Sequence, residues 1–177
     1  MIYFSEVFES STENIQHVKN TYTIPKAEWG EKYFSFYNYG IGHQERRSKT
    51  VTSWTDNKLL QIYRPILSKF MRKHGLFQPG TGIFTLNEMW GEVYNTEVQT
   101  VSMSRQHTSN KVVASWVHLM DVPGKSGLSF LFEDGEIHHS KHQNNSLIFF
   151  SPGVERCIDV VDGDCRVFVA GNVLKLR

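Results

Sequence analysis

Two hydrophobic rhythms divide the chain. In "TDNKLLQIYRPILSKFMRKHG" (55–75) the residues Leu59, Ile62, Tyr63, Ile66, Phe70 and Met71 recur at helical spacing, basic residues crowd the end, and Gly75 stops the run. This predicts a helix with one apolar stripe, which should pack against the outside of a sheet. Pro65 is expected to kink it or divide it in two. Upstream, "TENIQHVKN" (12–20) reads as a short helix capped by Ser11 or Thr12, and "EKYFSFYNYG" (31–40) alternates aromatic and polar residues like a strand ending at glycine.

From Gly82 onward the period falls to two, with frequent turn signals. The segments "GIFTLNEMWGEVYN", "VVASWVHLM", "LSFLFEDGE", "NSLIFF" and "GVERCIDVVDGDCRVFVAGNVL" predict about six or seven strands. The fold class is therefore mainly β with flanking α-helices, a sandwich or small barrel with helices on one side. A chain of 177 residues makes one domain over 1–177, in which 1–80 supply helices and edge strands covering the sheet and 81–177 the β core. Trp90, Trp116, Phe130, Phe149 and Phe168 recur on alternate strands and should contribute to its interior or sheet faces.

Composition narrows the function classes. Hydrophobic residues at 40% and charged residues at 21% belong to a folded protein. A formal net charge of +1 offers no field of one sign, so neither nucleic acid nor an anionic membrane is an expected partner. No apolar stretch approaches the roughly 20 residues of a membrane span. The start "MIYFSEVFESS" lacks the basic and apolar regions of a signal peptide, which predicts a cytosolic protein, or one released on lysis, rather than one secreted by such a peptide. Cys157 and Cys165 flank "VDGD". A hairpin turning at Asp162-Gly163 would set Val160 opposite Cys165 and Asp159 opposite Arg166, leaving two free thiols.

Four segments carry a resemblance: "EMWGEVYN" (88–95), "ASWVHLMDVPGKSGLSF" (114–130), "NSLIFFSPGV" (145–154) and "CRVFVAGN" (165–172). In order and spacing they resemble the iron- and 2-oxoglutarate-dependent oxygenase-like proteins of marine tailed phages and some bacteria. The resemblance covers about half the chain, and "RVFVAGN" is its best single piece. It implies a double-stranded β-helix, a jelly roll whose mouth holds iron and cosubstrate. It also implies an Arg on the closing strand, here Arg166, pairing with the far carboxylate of 2-oxoglutarate.

Iron of that type needs two imidazoles and a carboxylate on one face of the metal. Laid on the family strand, "VQTVSMS" puts Ser102 and Ser104 in the first two ligand places; with the gap moved, His107 and Ser109 take them. The distal place falls on Arg156 or Cys157. A guanidinium cannot ligate, and a neutral hydroxyl is a poor donor to ferrous iron. His107 is thus either a surviving ligand or a hydrogen-bonded loop histidine, and the count of donors favours the second. Arg166 reads equally as a 2-oxoglutarate partner or as half of a cross-strand pair with Asp159.

Other polar features are read as ordinary. His118 alternates with Trp116 and Met120 and should be an inward, hydrogen-bonded histidine of the barrel. "HHSKH" (138–142) is expected to be a solvated loop between strands, and "HQERRSK" (43–49) an exposed loop. The resulting expectation is a non-catalytic, oxygenase-like jelly-roll protein without cofactor. Its role would be assembly or binding among protein partners, as a homo-oligomer or with other proteins of a phage virion, in the virion or the host cytoplasm. The alternative is an active dioxygenase using Fe(II) and 2-oxoglutarate, with His107 as a metal ligand, Arg166 holding the cosubstrate, and the remaining ligands non-standard.

Overall fold

In the computed structural model the described residues are 1–22, 56–76, 80, 82–94, 104–105, 110–124, 127–158 and 165–176. They form β1 (Ile2–Val7), α1 (Thr12–Tyr22), α2 (Asn57–Lys73), β2 (Phe84–Tyr94), β3 (Ser104–Arg105), β4 (Val112–Asp121), β5 (Leu128–Leu131), β6 (Ile137–His139), β7 (Ser146–Phe150), β8 (Glu155–Ile158) and β9 (Arg166–Lys175). The strands make two antiparallel sheets, one of five strands in the order β1-β7-β4-β9-β2 and one of four in the order β3-β8-β5-β6. The chain is mainly β with two helices among the described residues, as its rhythms predict.

Both helices start where a side chain can serve the unbonded first-turn N–H groups. Ser11 Oγ accepts from the Asn14 N–H at 3.2 Å, and Asp56 Oδ1 accepts from the Leu59 N–H at 3.0 Å. At the far end of α2 the N–H of His74 reaches the Phe70 carbonyl, and Gly75, at a φ of 72°, bonds to Arg72. Pro65 does not divide α2, which runs unbroken from Asn57 to Lys73. Pro65 and Gln61 are both exposed, so water can serve the Gln61 carbonyl that the missing N–H leaves without a helical partner. The strand expected at 31–40 and the loop at 43–49 lie outside the described residues.

Strand alternation sorts the five-stranded sheet into two buried faces. On one, Met89, Val93, Ala114, Trp116, Met120, Leu147, Phe149, Val167, Val169 and Val173 pack with Val18 and Tyr22 of α1 and Leu59, Tyr63, Leu67, Phe70 and Met71 of α2. On the other, Trp90, Val117, Leu119, Ile148, Phe150, Phe168 and Ala170 meet Leu128 and Phe130 of the four-stranded sheet. Helices, large sheet and small sheet are thus successive layers, and all five expected aromatics are buried. The α2 stripe differs in detail. Leu67 joins Leu59 and Tyr63 as a fully buried member, whereas Ile62 and Ile66 are partly buried.

Strands β8 and β9 belong to different sheets: Arg166 is in register with Tyr94 and Cys157 with Ser129, while the expected turn and its partners Asp159 and Val160 lie outside the described residues. The Asp-Gly signal is local, whereas the apolar faces flanking it are each better buried in a separate sheet. Neither Cys157 nor Cys165 forms a disulfide. "HHSKH" is partly strand, because His138 and His139 close β6 at the edge of the small sheet.

Candidate functional site

Alternation along β2 brings Glu88, Trp90 and Glu92 to one face, and along β9 it does the same for Arg166, Phe168, Ala170 and Asn172. Trp90, Phe168 and Ala170 lie in the cluster between the sheets, so the polar members of these rows enter an apolar interior. Glu92, Asn172 and Ser115 are 0% exposed, Arg166 2% and Arg156 5%. Burial at that level obliges each polar group to find a partner.

Glu92 is held from two sides. Arg156 of β8 donates through both terminal nitrogens, Nη1 to Oε2 at 3.2 Å and Nη2 to Oε1. Trp90 Nε1 donates to the same Oε1 at 2.7 Å. The ion pair crosses from the small sheet to the large one, with side-chain exposures of 5% for Arg156 and 0% for Glu92. A second chain of bonds runs within the large sheet: Ser115 Oγ donates to Asn172 Oδ1 at 2.8 Å, and Asn172 Nδ2 donates to Glu88 Oε2 at 2.7 Å. Gly171 lets β9 and β2 come close here, because a Cβ at that position would meet the Glu88 carbonyl and the Trp116 ring.

Arg156 stands in register with Ser104 on one side and with Phe130 on the other. Ser104, expected at the second ligand place in one register, and Arg156, one of two residues expected at the distal place, are therefore cross-strand neighbours. Arg166 lies on the inter-sheet face of β9, in register with Tyr94. His107, Ser102, Ser109 and Asp159 lie outside the described residues.

His118 is hydrogen-bonded and 0% exposed, but it faces the helices and not the space between the sheets. Its Nε2–H donates to the Phe8 carbonyl at 2.8 Å, which leaves Nδ1 to accept from the Tyr63 hydroxyl at 2.6 Å. Burial pushes its pKa down to about 4, against a smaller opposing effect of the Phe8 carbonyl. The other described imidazoles near the C-terminal half do not converge. His138 pairs with Asp134 at 3.3 Å, His139 with Ser129 at 2.7 Å and His142 with Ser140 at 2.8 Å. Asp134, Glu136 and His138 lie close together in an exposed turn.

The described residues between the sheets do not make a two-histidine, one-carboxylate set for ferrous iron. Among the described residues that face supplies no imidazole, and the Glu92 carboxylate is already bound by a guanidinium and an indole. Sequence reading missed Glu92 as the centre of this cluster and took Asn172 only as a strand-closing residue. The signal was available in "EMWGEVY": a carboxylate two residues from an inward Trp shares its face.

No protein-family model matches the chain. Two curated proteins named competence-damage inducible protein, from Listeria monocytogenes serotype 4b strains CLIP80459 and F2365, are each similar to it, with 24% identity over 127 residues. The alignment covers 72% of this chain, which spans 29% of the length of these relatives.

Proposed function

We propose that this chain is a double-stranded β-helix of oxygenase-like descent that works without an iron centre, in assembly or binding with protein partners. The jelly-roll reading is supported by the winding of the chain. Strands β2, β4, β7 and β9 fall in the large sheet and β3, β5, β6 and β8 in the small one, so most successive connections cross from sheet to sheet. One observation carries the non-catalytic reading. Arg156, in register with Ser104, spends its guanidinium on Glu92, putting an internal cation and its counter-charge in the space between the sheets.

A metal dication there would face Arg156 in a low-dielectric interior, where like charges repel strongly. A rigid two-sheet body with loops at both ends is suited to packing into rings or lattices, and the resemblance gives a phage virion as the setting. Fold alone does not fix function, so the role rests on the site. Mass in solution by light scattering, together with metal analysis of the purified protein, tests the reading. A defined oligomer with substoichiometric iron supports it. A monomer carrying one iron per chain favours the active dioxygenase, with Arg166 of β9 as the residue for 2-oxoglutarate.

A further inference from the structure

Where the C-terminal end of α2 meets β2, β4 and the end of β9, a cavity of about 230 Å³ opens, lined by Met71, Leu76, Phe84, Val113, Ala114 and Lys175. Five of the six lining side chains are apolar. Ile83 and Leu176, 61% and 51% exposed, sit together beside it, because the Leu176 N–H bonds to the Ile83 carbonyl at 2.7 Å. The space exceeds the roughly 150 Å³ of an apolar cavity that accepts benzene.

The polar group in the lining is cationic. Lys175 is in register with Phe84, its backbone N–H bonds to the Lys111 carbonyl at 2.8 Å, and among the described residues no carboxylate partners its ammonium group. At the end of α2, Lys73 and His74 are paired with the Glu6 carboxylate, so the charge set against the apolar hollow is that of Lys175. A neutral hydrocarbon would leave the ammonium unanswered, and a small hydrophilic anion would leave the hollow unfilled. From this pairing we propose that the cavity is a binding site for a medium-chain aliphatic carboxylate, its chain against Met71, Leu76, Phe84 and Val113 and its headgroup on Lys175.

Calorimetric titration of the full chain with butyrate, hexanoate, octanoate and decanoate tests this. Affinity should rise about fourfold for each methylene added until the cavity is full, and then level. Lys175→Glu alters an exposed strand end, so the variant should fold; it should bind octanoate at least tenfold more weakly while binding octanol as the parent does. Val113→Phe should abolish both by filling the space. Absence of saturable octanoate binding by the parent, affinity that ignores chain length, or unchanged octanoate binding by Lys175→Glu would each overturn the proposal. If Val113→Phe fails to fold, the comparison of octanoate with octanol in Lys175→Glu still decides it.

Discussion

Arg156 on β8 and Glu92 on β2 form a buried ion pair that joins the small sheet to the large one. Glu92 lies in an apolar layer with Trp90, Phe130 and Phe168, so neither charge has water to fall back on.

Removing one member should therefore cost more than removing both. Glu92→Gln or Arg156→Met alone is expected to lower unfolding free energy by about 3–5 kcal/mol, because the partner stays buried without its counter-charge. The double replacement Glu92→Leu with Arg156→Met should cost less than the worse single change. Urea unfolding of the four proteins as a double-mutant cycle measures this. Additive losses would show that the pair is not the sheet-to-sheet link described.

Part of this arrangement was legible in the sequence. The α2 stripe, the interior aromatics and the mainly β class follow from apolar periodicity, which local patterns record. The separation of β8 from β9 does not. Asp162-Gly163 carries a hairpin signal, yet which sheet each flanking strand joins depends on burial across the whole chain, which no local pattern holds. The ion pair was half visible: Arg156 stood out as a non-ligand, but Glu92 is 64 residues away in sequence and only its parity with Trp90 placed it inside. His118 shows the limit of parity, since alternation gave its shared face with Trp116 and Met120 but not which layer covers that face.

Acid should destabilise the protein through His118. The folded-state pKa lies near 4, below the ordinary 6.5, so the unfolded chain binds the proton first as pH falls. Its contribution is complete above about pH 6.5 and is lost progressively toward pH 4, about 3 kcal/mol in all. His142, pushed down by burial, adds in the same direction. His118→Gln should flatten the pH dependence of stability over that interval relative to the parent, as measured by thermal unfolding at a series of pH values. An unchanged slope would show that His118 is solvated.

Leu67 and Ile66 are adjacent on α2 but differ in burial, and their substitutions should differ accordingly. Leu67→Ala is expected to cost about 2–5 kcal/mol, and Ile66→Ala less. Ile66→Asp should still cost several kcal/mol, because its carboxylate would enter the margin of the same cluster. Denaturant midpoints read the order directly, and equal costs would mean that the helix is rotated from the orientation described.

Gly91 faces the ring of Tyr22, and a Cβ there would stand 2.5 Å from two ring carbons. Tyr22 cannot easily move, since its hydroxyl donates to Asp56 Oδ2 at 2.9 Å while Asp56 also caps α2 and accepts from His17. Gly91→Ala is therefore expected to destabilise by about 1–3 kcal/mol. The loss should shrink in a Tyr22→Leu background, where the ring is gone. Thermal unfolding of the three variants checks this, and an equal loss in both backgrounds would place the strain elsewhere.

The central claim is that the space between the sheets holds an internal ion pair in place of a catalytic metal. Titration of the purified chain with ferrous iron under anaerobic conditions, followed by 2-oxoglutarate and oxygen with succinate as the readout, tests it most directly. The account predicts no saturable iron site and no succinate above the protein-free control. One tightly bound iron per chain with 2-oxoglutarate turnover, both lost in His107→Ala, would contradict it.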